Sequence, residues 1–385
     1  MSVNLGMAHV SSDFMIVALL VYSLAVLAFA GDYAFGRPRR VAARAAAPEV
    51  ERAAELAAVG AVTGSAVTGS AVTRSAVTGS AAGTAGAGGI ANAAPAPLAA
   101  GGQGEGPARG LAGDGAPGLP SRRVGVFRAI WEAGPWVRVA VALSALGVLA
   151  HVTAVTSRGF AVHRAPWGNM YEFITALTCV AAIFFGYILL RYRAWALGVF
   201  VLGALVISLG LAETLIYTPA GPLVPALQSY WLSIHVTAMT LSTGIFFVAA
   251  VLGVLYLVAE RYRARVAAGK AAGNGLLDRI PSAAVLDKLT YRTVIFGFPI
   301  WTFGVMAGAI WADQAWGRYW GWDPVETWAF ITWVIYAAYL HARATGGWRG
   351  ARAHYIQIIG FASLAINIFV IQIFITGMHS YAGVN

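Results

Sequence analysis

The densest group of chemistry-bearing residues in this 385-residue chain is one short stretch, Trp316-Gly317-Arg318-Tyr319-Trp320-Gly321-Trp322-Asp323-Pro324-Val325-Glu326-Thr327-Trp328, flanked by Trp311 and Trp333. Indoles offer large flat faces that stack offset on other flat rings, and the intervening glycines let such faces approach a flat guest closely. A planar macrocycle with acidic substituents is the ligand this pattern could serve, with Arg318 pairing to a carboxylate. Two plainer accounts compete with that reading. Tryptophan collects at membrane interfaces, and Asp323, Pro324 and Glu326 spell a helix start with N-cap, first-position proline and capping box. The capping account explains where the next helix begins. Neither explains why tryptophans crowd into one connection when an interfacial belt would spread over all helix ends.

Seven histidines are present. His235 falls about one turn inside the end of an apolar run and His379 just past the end of the last one, both on the side of the tryptophan stretch. An ionisable residue in or at a membrane is costly unless it is paired, so each is a candidate ligand for a metal-bearing macrocycle, with a bond to a neighbouring helix as the alternative. His341 lies 14 residues after Thr327, roughly 21 Å along a helix, where a favourable C-terminal dipole contact is the plain reading. His151 reads as an interhelical hydrogen bond. His9, His163 and His354 are expected in tails or loops with no role, and Glu172 and Glu213 near helix ends, where capping suffices. The lone Cys179 reads as a small buried hydrophobe, so the chain supplies no disulfide framework, zinc knuckle or dithiol relay.

The elements that must position these residues follow from composition. With 59% hydrophobic and 11% charged residues, against about a quarter charged in soluble chains, the fold class is an all-α polytopic membrane protein. Stretches of about 20 apolar residues predict about eight transmembrane helices, near Asp13–Tyr33, Val137–Ser157, Met170–Leu190, Trp195–Leu215, Trp231–Ala259, Tyr291–Trp311, Thr327–Ala344 and Ile356–Met378. No Lys or Arg precedes the first, and Arg37, Arg39, Arg40 and Arg44 follow it, the reverse of a signal peptide. Of the 26 basic residues, all but Arg158, Arg164 and Arg318 then fall in or beside connections on one side. The positive-inside rule makes that side cytoplasmic and puts both termini and the tryptophan loop outside. The same distribution accounts for the net charge of +10 without nucleic acid as a partner. Residues 1–36 are thus expected as a first helix and 37–136 as a cytoplasmic, largely disordered insert. The insert's Ala-Val-Thr-Gly-Ser repeats bury too little to order. Residues 137–385 are expected as a seven-helix membrane domain whose Trp-rich loop covers 312–328.

Trp316-Gly317, Trp320 and Trp322-Asp323 fit position by position the W-G-x-x-W-x-W-D signature of the Trp-rich ("WWD") haem-handling proteins of cytochrome c biogenesis, which this chain resembles. Tyr-Leu-His-Ala-Arg ending at Arg343, and Gly377-Met378-His379-Ser380-Tyr381-Ala382-Gly383, are similar to the ResC/CcsA type, the haem-binding half of the system II synthetase. Pro166-Trp167-Gly168-Asn169-Met170-Tyr171-Glu172 is a looser match. The resemblance covers roughly 137–385 and leaves out the insert. It implies a plasma-membrane protein that binds haem b at the extracytoplasmic face. Trp316, Trp320, Trp322 and Asp323 would frame that haem, with His235 and His379 as axial ligands and His341 at a second, transmembrane haem site. It implies delivery of haem for thioether attachment to the Cys-x-x-Cys-His segment of apocytochrome c, a ResB/Ccs1-type membrane partner, and thiol-reducing proteins acting indirectly. No catalytic residue is assigned, and enzyme status would belong to the two-protein synthetase. A di-haem electron-transfer subunit, a Trp-rich haem-delivery protein of another maturation system and a cofactor-free transporter are the rival readings.

Overall fold

A computed structural model describes residues 3–36, 125–222, 227–271 and 276–379; the repeat-rich part of the expected insert lies outside them. Every regular element among the described residues is helical. The long helices are α1 (Leu5–Phe35), α3 (Pro135–Val162), α4 (Met170–Tyr192), α5 (Gly198–Leu215), α6 (Tyr230–Ala267), α7 (Ala283–Trp316), α8 (Pro324–Ala344) and α9 (Ala351–Phe374). A short α2 (Val126–Glu132) precedes α3, so the last residues before the expected boundary at 137 are ordered as helix. Among the described residues, seven helices are long and apolar enough to cross a membrane. The expected Thr327–Ala344 span is the exception. Its helix, α8, has 21 residues, long enough at about 31 Å, but Trp, Tyr, Glu326, His341 and Arg343 hold down its hydropathy.

Helix ends are set by local chemistry. The Asn4 side chain accepts from Met7 N–H at 3.1 Å, and Asn169 accepts from Glu172 N–H at 2.9 Å, each satisfying an orphan donor of a first turn. At α8 the expected capping box forms, with the Asp323 side chain accepting from Val325 N–H and Glu326 accepting from Asp323 N–H at 3.1 Å. Gly317 closes α7 in the left-handed region (φ 70°), a conformation that costs glycine little.

Consecutive long helices run antiparallel. Asn4 at the start of α1 bonds to Ala161 at the end of α3, Ser229 before α6 to Gln314 near the end of α7, and Met378 after α9 to Asp323 before α8. Asn4 and His379 therefore both lie at the end of the bundle that carries the Trp loop. The opposite end carries Arg191, Arg261, Arg263, Arg279 and Arg343. There, Arg343 of α8 grips Asp287 of α7 through two bonds of 2.6 and 3.0 Å. His354 joins the same carboxylate at 3.2 Å while stacking on Tyr256 of α6 with centroids 3.8 Å apart. His354 is thus not in a loop, as the sequence suggested. It is a fully buried member of α9, and the knot it shares ties four helices together where lipid could satisfy none of these groups.

Two apolar clusters fill the bundle, one centred on α1, α3, α4 and α5 and reaching α6 and α7, and one among α4 to α9. The second closes below the Trp loop without filling the space there.

Candidate functional site

That space is a cavity at the Trp-loop end between α4, α6, α7, α8 and α9, with about 1400 Å³ of empty volume including its mouth. Its deep walls are Met239, Trp301, Val305 and Leu364, and its upper part presents His235, His379, Trp311, Trp316 and Trp320. Pockets of this kind, apolar with a few convergent polar groups, are the usual form of a small-molecule or cofactor site.

His235 enters the cavity from α6 because α7 carries glycine opposite it. Its Nδ1 donates to the Gly304 carbonyl at 2.8 Å. A Cβ at Gly308, one turn further, would stand 2.6 Å from that same nitrogen, so two helix backbones and an imidazole share a space that no side chain could enter. The ring lies parallel to Trp311 (centroids 6.4 Å, interplanar 9°). His379 reaches the cavity from the segment after α9, its Nδ1 donating to Asp323 Oδ1 at 2.8 Å. Trp316 and Trp311 meet its ring edge to face at 5.1 and 6.0 Å. Both imidazoles spend Nδ1–H on an oxygen that can only accept, so that in the neutral ring the lone pair lies on Nε2. That tautomer is the one a metal-ligating histidine adopts when a carbonyl or carboxylate backs it.

Asp323 stands behind the cavity wall. Burial pushes its carboxyl up, but the bonds from His379, Met378 N–H and Val325 N–H outweigh burial and hold it below the ordinary carboxylate value. One side chain thereby starts α8 and holds the 377–379 segment over the cavity.

The other candidates separate from this group. Trp322 does not line the cavity; it is 68% exposed and meets Trp320 and Phe330 edge to face. Its φ of 56° is a conformation a bulky residue rarely adopts without constraint from its surroundings. His341 is at the far end of α8, exposed on the face that also carries Phe330 and Val334, about 24 Å of helix from Val325. Arg318 is exposed, outside the lining, and lies over Gly321.

Three features were not legible as site chemistry. Trp311, which the sequence offers only as a flank of the loop, is 2% exposed and sits between the two imidazoles. A π-helical segment, Asn367–Ile371, interrupts α9 and brings Asn367 and Ile368 to the cavity wall; such interruptions are frequent at functional sites. Glu172, expected as a capping residue, is 1% exposed and binds two arginines, Arg158 at 3.0 Å and Arg164 at 2.7 Å. One signal pointed there, since both arginines are among the three basic residues that break the one-sided charge pattern. His151, by contrast, has the expected interhelical bond, its Nε2 donating to the Thr175 carbonyl at 3.0 Å.

Comparison with known proteins agrees with the extent of this site. The family model described as "Cytochrome C assembly protein" matches residues 167–379, which include all of the cavity lining except Arg164 and Ala165. A "Cytochrome c biogenesis protein CcsA" of Guillardia theta is 38% identical over 238 residues, covering 57% of this chain and 77% of that one. The protein of the same description from Gloeobacter violaceus is 34% identical over 293 residues, covering 62% and 84%. A solved chain titled "Cytochrome c Heme Lyase CcmF" aligns at TM-score 0.47 and 20% identity over 64% of this chain, which spans 43% of its length.

Proposed function

Because the chain belongs to the cytochrome c assembly protein family, as a multi-pass membrane protein of the CcsA type acting in cytochrome c biogenesis, we propose that its cavity holds haem b and presents it for attachment to apocytochrome c. Two imidazoles, one from α6 and one from the segment after α9, each with Nδ1 committed to a protein acceptor and both facing one tryptophan-lined cavity, carry this proposal. The donor set fits the guest. Imidazole is a common axial ligand of haem iron, and flat indoles suit a porphyrin face.

In this reading His235 and His379 bind the iron, and Trp311, Trp316 and Trp320 confine the ring. Asp323 fixes the orientation of His379. The histidine of the apocytochrome Cys-x-x-Cys-His segment takes the place of one of these ligands, which brings its two thiols beside the two vinyl groups. Each thiol then adds across a vinyl, sulfur bonding to the carbon next to the ring and the proton going to the terminal carbon, so no outside electrons are needed. Holding the reactants together supplies most of the acceleration.

His341, exposed on α8, is the candidate for a second haem site, completed by a ligand from a ResB/Ccs1-type membrane partner that also brings an extracytoplasmic domain. The Trp loop faces away from the cytoplasm at the plasma membrane in this reading, an orientation that the arginine distribution supports.

The test is the visible spectrum of the protein purified gently with its membrane partner. It should carry iron porphyrin with the bands of bis-histidine haem, diminished in His235→Ala and in His379→Ala, with cytochrome c maturation lost in both. Absence of haem from the native complex, or haem unchanged in the double variant, would refute the proposal.

A further inference from the structure

We infer that Arg164 is the residue that takes a haem propionate in this cavity, an assignment that rests on the haem reading above. Haem carries two carboxylates on one edge, and a mostly apolar cavity that accepts it must supply a cation there or leave an anion poorly solvated. The loop arginine that the sequence offers for this, Arg318, lies outside the lining. Arg164, in the connection between α3 and α4, lies in it.

The surroundings of Arg164 hold its guanidinium in place at the cavity wall. Its Nη1 donates to Glu172 Oε2 at 2.7 Å and to the Ala165 carbonyl at 3.0 Å, while Nη2 donates to Glu172 Oε1 and to the Gly221 carbonyl at 3.4 Å. These bonds fix the plane of the guanidinium. The remaining donor, Nε–H, is buried and has no hydrogen-bond partner among the described residues, although an unsatisfied buried donor of a charged group is costly. The charge balance agrees. Glu172 is shared with Arg158, which is itself 3% exposed, and no second carboxylate lies within ion-pair distance of either guanidinium among the described residues. Within ion-pair distance one buried carboxylate thus faces two guanidinium groups, Arg158 buried and Arg164 part-buried, and Arg164 stands at the wall of the cavity. A cation in such a place is stabilised by an anionic guest. Glu172 and Arg158 act as positioning residues, holding the Arg164 fork and keeping its geometry rigid.

Titrating haem b and its dimethyl ester into the complex purified from haem-limited cells, followed by visible absorption, tests the assignment. Wild type should bind the free acid about 10- to 100-fold more tightly than the ester, the range expected for a hydrogen bond between charged groups. Arg164→Ala should lose that preference by weakening haem b while leaving the ester's affinity unchanged, and Arg164→Lys should keep part of it. Because Arg158 still pairs with Glu172 in these variants, unchanged ester binding also reports an intact cavity. Arg318→Ala should behave as wild type. Equal weakening of both porphyrins in Arg164→Ala, an undiminished preference there, or a preference that vanishes in Arg318→Ala would overturn the assignment while haem binding stands. Failure of wild type to bind either porphyrin would remove the haem reading and this assignment with it.

Discussion

At Asp323 a single carboxylate accepts from the Val325 and Met378 backbone and from the His379 ring, so it joins a helix start to the segment that carries a candidate iron ligand. Two substitutions separate these duties. Asp323→Asn keeps an N-capping side chain and a carbonyl acceptor for His379 but removes the charge. Imidazole backed by a neutral acceptor donates less electron density to iron, so the bound haem should be retained with a raised midpoint potential in a redox titration. Asp323→Ala removes the acceptor as well, and haem affinity should fall about 10- to 100-fold, as for other outer partners of metal-binding histidines. An unchanged potential in the first variant would show that the carboxylate does not act through His379. At this scale the sequence was partly legible. The tryptophan stretch stands out by its density in one connection, and His235 and His379 because an ionisable residue in or at a membrane is costly unless it is paired. Asp323 was legible as a cap, because capping is local, but its hold on His379, 56 positions away, is a tertiary fact. The same reason hid His354, whose partner Asp287 is 67 positions distant, and made Arg318 a better candidate than Arg164 for a cation.

Among elements, the pairing of α6 with α7 determines whether His235 can point into the cavity at all. Gly308 is where that pairing is tightest around the ring, since an added methyl would overlap the imidazole, which cannot bend away as a long side chain would. Gly308→Ala should therefore displace His235 and remove haem from the purified complex while the helical circular dichroism persists. Gly203→Ala on α5, where a Cβ would meet nothing within 4 Å, should leave the haem spectrum as in wild type and, by restricting the unfolded chain, can only help the helix. Equal haem content in the two variants would mean that the close approach of α6 and α7 does not position the ligand. Apolar runs made seven spans legible because length and composition alone decide whether a helix can cross a bilayer. Their true extent was not. α6 and α7, with 38 and 34 residues, are about 57 and 51 Å long, well past a hydrocarbon core of about 30 Å. The charged turns beyond the core, such as Arg261 to Arg265, carry no hydrophobic signal, and their helical state depends on continuation and packing.

Across the whole molecule, two ends of one bundle are built from different chemistry. The Trp-loop end holds indoles, two imidazoles and the Arg158–Glu172–Arg164 cluster around a cavity, whereas the opposite end is knotted by Asp287, Arg343 and His354 and fringed with arginines. If the arginine-rich end is cytoplasmic, as the positive-inside rule favours, the cavity opens on the outer side, and under the proposed function its haem arrives from the side on which His341 lies. Sidedness can be measured because the natural cysteine is silent: Cys179 is buried in α4 and should not react with a membrane-impermeant maleimide. Arg318→Cys in the Trp loop should then label in intact cells, and Arg349→Cys, exposed between α8 and α9, only after the membrane is opened. Removing one arginine of many from the cytoplasmic side should not invert the bundle, since orientation follows the summed bias of the loops. Labelling of Arg349→Cys in intact cells, with Arg318→Cys protected, would turn the cavity toward the cytoplasm. Haem would then be received where it is made but could not meet apocytochrome c outside, and attachment at this cavity would be physically excluded even if every ligand assignment held.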